Sequence, residues 1–362
     1  MALSPLNQRR WRNFKGNRRA WWSLWLFAAL FGLSLCAELL ANDKPLLVSH
    51  KGGFYTPFLT FYPETTFGGD FRTEANYREP EVQCLIVAQG SETCWDDPEG
   101  VLAQAQQSPD AGWMLWAPIP YSYNTINDLG RAAPSPPDAQ HWLGTDDTAR
   151  DVAARVIYGV RISVLFALIV TSLTSVIGIA MGAVQGYFGG WVDLIVQRVL
   201  EIWGATPTLY VIIIVAAVWR MNFWLLVAIM VTFGWTSLIG VVRAEFLRAR
   251  NFEYVRAARA LGVPDRVIMF RHVLPNAMVA TLTMLPFLVT GAISTLAMLD
   301  FLGFGLPASA PSLGELTQQA KQNLQAPWLA FTAFFTFAIM LSLLVFIFEG
   351  VRDAFDPRKT FQ

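Results

Sequence analysis

The sequence predicts an all-α polytopic membrane protein, with six transmembrane helices and a mixed or β-rich insert between the first two. Three observations support this fold class. Hydrophobic residues make up 54% of the 362 residues and charged residues 15%, a balance too apolar for an ordinary soluble domain. Six apolar segments of about twenty residues carry no charged side chain in their middles. Basic residues concentrate in the loops that six crossings would place on one side of the membrane.

The six predicted spans are 20–37, 162–184, 202–218, 223–242, 278–299 and 328–348. A signal peptide is the alternative for the first span, because a basic tail precedes it. Its apolar run is longer than a signal core and ends at Glu38 without a small-residue cleavage site, so we expect a retained anchor. Buried helices of a soluble core would need more polar surface than this chain has.

The predicted spans divide the chain into five segments. They are a basic cytoplasmic tail at 1–19, the first transmembrane helix at 20–40, a periplasmic insert at 41–140, a membrane core at 141–355 that includes a cytoplasmic loop at 243–277, and a cytoplasmic tail at 356–362. Basic residues assign the tails and the loop to the cytoplasm. The acidic bias of the insert agrees with export, although long segments are exported largely regardless of charge.

The insert combines Gly, Pro and aromatic residues with short β-branched runs. The run "VQCLIVA" at 82–88 predicts a strand, and "PSPP" at 134–137 predicts a linker that closes a small domain. Cys84 and Cys94 both lie in this exported segment, where an oxidising compartment allows a disulfide. Two free thiols are the alternative.

The sequence shows no catalytic or metal site. It lacks a Walker A loop and a nucleophile elbow, and its three histidines have no metal-ligand spacing and are expected at surfaces or interfaces. One alternative function is a membrane enzyme that uses acids of the insert, which would be Asp96, Asp97 and Glu99. Another is an ion-coupled carrier, although the spans lack the acids or histidines that proton relays need.

Small and hydroxylated residues characterise two of the spans. Gly178, Gly182 and Gly186 recur every four residues and predict a face on which another helix packs closely. Pro207 and Pro286 favour kinks in the third and fifth spans. The fifth span also carries hydroxyl groups that either line a polar path or bond back to their own helix, namely Thr281, Thr283, Thr290, Ser294 and Thr295.

The loop between the fourth and fifth spans carries four arginines in "FEYVRAARALGVPDRVIMFRHVLPNA" at 252–277. Apolar residues recur at helical spacing from Phe252 onward, so we expect a short helix that Gly262 interrupts. A second helical run at 265–273 would end before Pro275 and complete a hairpin. Such a hairpin either docks into a groove of another protein or lies on anionic lipid.

Part of this loop, "VRAARALGVPDRVIMFRHVLP" at 255–275, resembles the EAA loop of ABC-importer permeases, with its Glu-Ala-Ala triplet, Gly and later Leu-Pro. In that family the loop couples the membrane spans to a separate ATPase. By this resemblance the coupling residues are Glu253, Arg256, Ala257, Ala258, Arg259, Gly262, Leu274 and Pro275. Arg256 stands where the family has Glu, so Glu253, one helical turn earlier, is the nearest acid.

A second stretch, "HWLGTDDTARDVAARVIYGVRISV" at 141–164, is similar to a motif of the dipeptide, oligopeptide and nickel branch of these permeases, although Ala149 replaces a Gly. From the residues alone, Thr145 or Asp146 is expected to cap the helix that follows. The helix would meet the membrane interface at Arg155 and Arg161.

The resemblance implies the six-helix fold of a type I ABC-importer permease, a transport subunit with no catalytic residue, metal or cofactor of its own. The large insert makes the chain most like the second permease of an importer for oligopeptides and microcin C, with dipeptides or nickel as alternative substrates. The implied partners are a second permease in a heterodimer, a periplasmic substrate-binding protein, the lipid bilayer, and an ABC ATPase that carries ATP and Mg on two units or one fused chain. Nucleic acid is not expected. The implied location is the bacterial inner membrane, with both termini in the cytoplasm.

Overall fold

The computed structural model describes residues 5–355, so the predicted tail at 356–362 lies outside the described residues. The α-helices of this part of the chain are α1 (Pro5–Gly16), α2 (Arg18–Leu35), α3 (Ala37–Leu40), α4 (Pro80–Val87), α5 (Pro98–Ala105), α6 (Val152–Phe188), α7 (Gly190–Gly204), α8 (Thr208–Val218), α9 (Phe223–Gly234), α10 (Ile239–Ala249), α11 (Glu253–Ala260), α12 (Asp265–Val267), α13 (Leu274–Phe301), α14 (Leu313–Gln322) and α15 (Pro327–Phe355). The strands are β1 (Leu47–His50), β2 (Gly53–Tyr55) and β3 (Trp113–Leu115). Short 3₁₀ turns lie at Glu64–Phe67, Glu92–Trp95 and Trp235–Leu238, and a π-helical turn at Ile268–Val273.

Within residues 5–355, four helical stretches are long and apolar enough to cross a membrane: Val152–Phe188, Phe223–Ala249, Asp265–Phe301 and Pro327–Phe355. The bent pair of α7 and α8 makes a fifth if it counts as one span, and its two helices meet at 61°. Pro207 is the N-cap of α8 at this bend. At the first predicted span, α2 is a helix but falls outside this set, because its 18 residues include Arg18 and Arg19. The structure is therefore that of a polytopic helical membrane protein with four or five such helices.

The glycine stripe on α6 packs against α10 and the 3₁₀ turn before it. A Cβ atom added at Gly178 would lie 2.6 Å from the Trp235 carbonyl oxygen, and one at Gly186 would lie 2.5 Å from the Arg243 carbonyl oxygen. One at Gly182 would lie 2.9 Å from a side-chain carbon. These distances leave no room for a methyl group, so the absence of side chains is what allows the two backbones to approach. The predicted packing face is confirmed.

The helices share two ends, which we call the insert end and the hairpin end. At the insert end, the start of α6 contacts α14 and the insert through Arg150 and Tyr158. At the hairpin end, α6 finishes beside α10, and α13 begins directly after the π-helical turn. Farther along α13, the residues around Pro286 line a cavity with the last turns of α15. The ring of Phe223, at the start of α9, packs 5.8 Å from that of Phe166 in the first half of α6, so α9 and α10 run toward the hairpin end.

The insert contains an antiparallel three-stranded sheet in the order β2-β1-β3. The stretch predicted as a strand at 82–88 is helical instead and belongs to α4. Pro80 opens this helix, and Val82, Leu85 and Ile86 are buried at helical spacing, which outweighs the β propensity of the run. The insert is thus mixed rather than β-rich. A disulfide joins Cys84 to Cys94.

Candidate functional site

The loop after α10 forms a helical hairpin, hereafter the hairpin, composed of α11, α12 and the π-helical turn. The Val255 side chain of α11 is fully buried in a cluster with Phe246 of α10 and with Ile268 and Val273 of the π-helical turn. This cluster links α11 to two long helices. Phe246 belongs to α10, and the π-helical turn that contains Ile268 and Val273 leads directly into α13. A displacement of the hairpin would therefore be transmitted to both helices.

A Schellman motif ends α11. The Val263 N–H donates to the Ala258 carbonyl at 3.1 Å, and the Gly262 N–H donates to the Arg259 carbonyl at 3.0 Å. Gly262 has a φ angle of 75°, in the left-handed region that favours glycine. A Cβ atom there would meet nothing within 4 Å, so the backbone conformation, and not space, accounts for a glycine at this position.

The second half of the hairpin differs from the prediction. The helix does not end before Pro275 but continues through the π-helical turn into α13, and Pro275 lies in the first turn of α13. Pro275 follows the π-helical turn directly, where the regular i→i−4 hydrogen-bond ladder is already interrupted, so the N–H that proline lacks does not end the helix there. Leu274 packs beside the buried cluster, whereas Pro275 is exposed.

The outer face of the hairpin is exposed and carries unpaired charge. Glu253, Arg256 and Ala257 are exposed, and within the described residues neither charged group has a partner. The side chains of Leu261 and Phe270 are 84% and 68% exposed beside them. Such a mixture of apolar and unpaired charged side chains is typical of a surface that a partner covers.

The inner face of the hairpin closes a polar cleft of about 640 Å³ against the end of α6. The Arg259 guanidinium lies 5.3 Å from the centre of the Tyr187 ring, and its Nε lies 4.0 Å from Asp265 Oδ1. The Tyr187 hydroxyl also donates to Asp265. Arg259 therefore holds the two halves of the hairpin together and is less available to a partner than Arg256.

Three of the five hydroxyls on α13 bond back to their own helix. Thr281 donates to the Ala277 carbonyl at 3.3 Å, Thr283 to the Ala280 carbonyl at 2.6 Å, and Thr290 to the Pro286 carbonyl at 3.0 Å. Thr281 is buried. Thr290 thereby satisfies a carbonyl at the proline, and α13 continues through Pro286 as one helix.

The outward face of α13 is nevertheless mildly polar. Thr283, Phe287, Thr290 and Ser294 lie three or four residues apart and are partly or fully exposed. The first three line a cavity of about 270 Å³ between α13 and α15. Ser294 and Thr295 make no side-chain hydrogen bond within the described residues. The hydrogen bonds show that three of the hydroxyls bond back to their own helix. A back-bonded threonine can still face a path, so the path lining stays a prediction.

A group of buried charges at the insert end was not predicted from the sequence. It consists of Asp146, Arg150, Arg155 and Glu315, hereafter the ionic cluster. Arg150 donates to Asp146 at 2.7 Å and to Glu315 at 3.3 Å. Arg155 donates to Glu315, and its Nε lies 3.5 Å from Asp146 Oδ2. The cluster connects α14 to the start of α6. Its one signal in the sequence is Glu315, a carboxylate on an amphipathic helix outside the predicted spans.

Two expectations for the motif at 141–164 are wrong. Asp151, not Thr145 or Asp146, caps α6, since its side chain accepts from the Ala154 N–H at 2.8 Å. Arg155 is fully buried and does not mark the membrane interface, because the acids of the ionic cluster neutralise it.

Arg161 is partly exposed and pairs with Glu38 at 2.7 Å, and its place at the membrane interface stays a prediction. The histidines differ from expectation. Two of the three histidines are buried: His141 lies 2.8 Å from Asp151, and His50 lies 3.2 Å from the Ile86 carbonyl oxygen.

Burial affects two carboxyl groups just before α6. The pKa of Asp147 is raised, first by burial and then by the neighbouring carboxylate of Asp146. One of its oxygens is buried without a hydrogen-bond partner in the described chain. Burial also raises the pKa of Asp151, against the opposing effect of its hydrogen bonds to the Ala154 N–H and to His141.

The acids proposed for a membrane enzyme have ordinary structural roles. Asp97 caps α5 by accepting from the Gly100 N–H at 3.0 Å, and Glu99 lies in the first turn of that helix. No group of His, Cys, Asp or Glu within residues 5–355 could hold a metal ion.

Known proteins match this chain over nearly its whole length. Residues 174–361 match the model of the binding-protein-dependent transport system inner membrane component, and residues 4–51 match the N-terminal TM domain of oligopeptide transport permease C. The chain is 56% identical to the inner membrane ABC transporter permease protein YejE of Escherichia coli (strain K12), over 99% of this chain and 98% of the relative. It is 52% identical to the peptidoglycan transport system permease protein YejE of Agrobacterium fabrum, over 99% and 95%. It is 35% identical to the oligopeptide transport system permease protein OppC of Bacillus subtilis, over 66% and 78%.

Proposed function

Because the chain belongs to the binding-protein-dependent transport system inner membrane components, the permeases of ABC importers, we propose that it couples ATP hydrolysis to import through the hairpin. The relatives confirm the peptide-permease branch that the two sequence motifs indicated and the Yej-type permease that the large insert indicated, and with them a transport subunit, not an enzyme. The observation that carries the proposal is the hairpin itself, which is exposed and unpaired outside but anchored inside to α10 and α13.

Six membrane crossings are part of this proposal. In this proposal α7 and α8 form one span, and the support is that α6 ends at the hairpin end whereas α9 starts nearer the insert end. The helix α2 packs along α15, beginning at the contact of Ala20 with Gly350. It therefore extends from the hairpin end to the insert end, as a membrane-crossing helix would. Basic loops then assign the hairpin end and both termini to the cytoplasm, and the insert at 41–140 to the periplasm.

The hairpin is proposed to dock into a cleft of a separate ATPase subunit. Leu261 and Phe270 supply apolar contacts, while Glu253 and Arg256 supply charge that the chain itself leaves unpaired. Arg256, in place of the family's Glu, calls for an acidic group opposite it. ATP and Mg belong to that subunit, as two nucleotide-binding units or one fused chain.

The proposed substrates are oligopeptides or peptide-containing compounds, including microcin C and cell-wall fragments. The name of one relative mentions peptidoglycan transport, and that of another mentions oligopeptide transport. A periplasmic binding protein would deliver the substrate, and a second permease would complete the passage. The outward face of α13, with Thr283, Thr290 and Ser294, is the proposed contribution of this chain to the path.

Two variants at one position test the coupling role. In proteoliposomes that contain this chain with its second permease, ATPase and binding protein, Gly262→Val should abolish ATP-dependent peptide uptake, because valine is strained at a φ of 75° and the Schellman turn would rearrange. Gly262→Asn should keep most of the uptake, because asparagine tolerates this conformation.

The readouts are peptide uptake and ATP hydrolysis on the same preparation, with co-purification of the ATPase as a check on assembly. The expected pattern for Gly262→Val is hydrolysis that no longer drives uptake, or loss of the ATPase from the purified complex. Normal uptake by a correctly inserted Gly262→Val protein would contradict the proposal.

A further inference from the structure

The N-terminal part of the chain forms a strongly cationic surface. Residues 1–37 contain six basic residues and no Asp or Glu. In the structure five of the six side chains are exposed, and we call them the cationic surface: Arg9, Arg12, Lys15, Arg18 and Arg19. Apart from Lys15, which lies over the rings of Trp11 and Trp21 at 5.4 and 5.3 Å, they have no partner within residues 5–355.

This surface is held rigidly against the end of α15. Phe14 of α1 is buried, and a Cβ atom added at Gly350 would lie 3.1 Å from the Phe14 ring and 2.2 Å from the Ala20 side chain. The Arg10 guanidinium lies 4.3 Å from the centre of the Phe355 ring. Asn17 separates α1 from α2 with an extended backbone and caps α2 by accepting from the Ala20 N–H at 3.2 Å. The cationic side chains therefore project from a fixed backbone.

A cavity of about 400 Å³ opens between this junction and α15. It is lined by Arg18, Arg19 and Glu349, yet neither arginine forms an ion pair with any acid in the described chain. Charges of opposite sign thus face one cavity without meeting. Such spacing leaves room for a group that accepts hydrogen bonds on one side and donates them on the other.

Aromatic side chains follow directly along α2. Trp22 and Trp25 are 65% and 55% exposed, and Phe346 of α15 borders the cavity. Tryptophan at this position is typical of the interface between lipid headgroups and acyl chains. Along α1 and α2, cationic side chains are therefore followed by interfacial tryptophans and then by apolar side chains.

We propose that the cationic surface and this cavity bind an anionic phospholipid of the phosphatidylglycerol type. Arg18 and Arg19 donate to the phosphate, which arginine recognises through paired N–H groups. Glu349 accepts from a glycerol hydroxyl, and the acyl chains lie along Trp22. A net negative headgroup is required because the six basic residues of 1–37 outnumber the two acids in the last turns of α15, Glu349 and Asp353.

Glu349 borders both the lipid cavity and a second cavity near the proposed path, so a bound lipid could affect transport. This residue also lines the cavity between α13 and α15 that contains Thr283 and Thr290. A lipid bound at the junction of α1 and α2 would therefore hold α15 where it faces α13. This step rests on the proposed function, since it takes α2 as the first membrane crossing and α13 as part of the path.

Native mass spectrometry of the detergent-purified permease complex, titrated with phosphatidylglycerol or phosphatidylethanolamine, tests the binding. The wild type should retain phosphatidylglycerol about tenfold better than phosphatidylethanolamine. The double variant Arg18→Gln/Arg19→Gln should lose this preference, and Arg18→Lys/Arg19→Lys, which keeps the charge, should retain most of it. The control Arg72→Gln/Arg220→Gln removes the same charge from exposed positions elsewhere and should behave as the wild type does.

Equal retention of both lipids by the wild type, or an unchanged preference in the Gln variant, would overturn the proposal. Loss of the ATPase from the Gln variant with lipid retention unchanged would also overturn it, because the surface would then contact the ATPase. Lipid retention is measured without uptake, so a failure here is distinct from a failure of the coupling role tested at Gly262.

Discussion

At the scale of single residues, the polar groups before α6 are the most sensitive to small changes. Asp147 has a buried oxygen without a partner, next to Asp146, which accepts hydrogen bonds from Thr148 and Arg150. The two neighbouring carboxylates therefore have opposite effects on stability. The carboxylate of Asp146 accepts hydrogen bonds from nearby donors. Ionisation of Asp147 at neutral pH costs free energy, because its pKa is raised.

Asp147→Asn should raise the melting temperature at pH 7 to 8. A raised pKa in the folded state means that the stability contributed by protonated Asp147 is complete below its ordinary pKa and is lost as pH rises through the raised value. The advantage of Asn should therefore disappear near about pH 4. Asp146→Asn serves as the control and should lower the melting temperature, because it removes one acceptor oxygen and the negative charge that neutralises Arg150. A fall for Asp147→Asn as large as that for Asp146→Asn would contradict this account.

Glu315 supplies counter-charge to a fully buried guanidinium, that of Arg155. Glu315→Gln should destabilise the protein by about 3 kcal/mol, since it leaves a buried guanidinium with less counter-charge. Glu201→Gln breaks the exposed pair with Arg198 and should cost at most about 1 kcal/mol. Thermal unfolding in detergent compares the two variants, and equal effects would mean that the ionic cluster does not stabilise the fold.

The positions of single polar residues are the hardest to predict from the sequence, because their partners can be far away along the chain. Arg155 was expected at the membrane interface, because its neutralising partner Glu315 is 160 residues away and no local pattern relates them. The motif at 141–164 indicated the family but not which of its acids caps α6. Gly262, by contrast, was located correctly as the end of a helix, because a helix terminus depends on a few consecutive residues.

At the scale of elements, periodicity predicted the long helices well and the short ones poorly. The run at 82–88 looked like a strand because it is β-branched and short, but Pro80 and burial at helical spacing decide for α4. The glycine stripe of α6 was informative because its period matches one helix face. The π-helical turn before Pro275 leaves no sequence pattern of its own, so the continuous helix could not be foreseen.

Gly186→Ala tests the contact of α6 with α10. The added methyl group would lie 2.5 Å from the Arg243 carbonyl oxygen and 2.7 Å from the Phe246 Cβ, so the helices have to separate. We expect a loss of about 1–3 kcal/mol in the free energy of unfolding. Gly240→Ala, on α10, meets nothing within 4 Å and should be neutral or stabilising. Thermal unfolding in detergent provides the comparison, and equal stability of the two variants would show that the backbones are not in close contact.

At the scale of the whole molecule, the positions of the helix ends support the proposed topology. Hydropathy distinguishes four or five spans, since α2 begins with two arginines and α7 bends into α8. Packing adds what hydropathy lacks, because α2 extends along α15 and the start of α9 lies beside the first half of α6. The proposed count of six rests on these contacts together with the basic residues at the hairpin end.

Cysteine accessibility tests this topology, with single cysteines introduced at exposed positions in a Cys36→Ser background, where the native Cys84 and Cys94 are joined in a disulfide. Six crossings place Asn13→Cys and Asn251→Cys on the cytoplasmic side and Ser108→Cys in the periplasm. A membrane-impermeant maleimide should therefore label only Ser108→Cys in spheroplasts, and the other two in inside-out vesicles. Labelling of Asn13→Cys in spheroplasts would mean that α2 does not cross. Labelling of Asn251→Cys there would exclude the hairpin as the contact for a cytoplasmic ATPase, because the two would lie on opposite sides of the membrane.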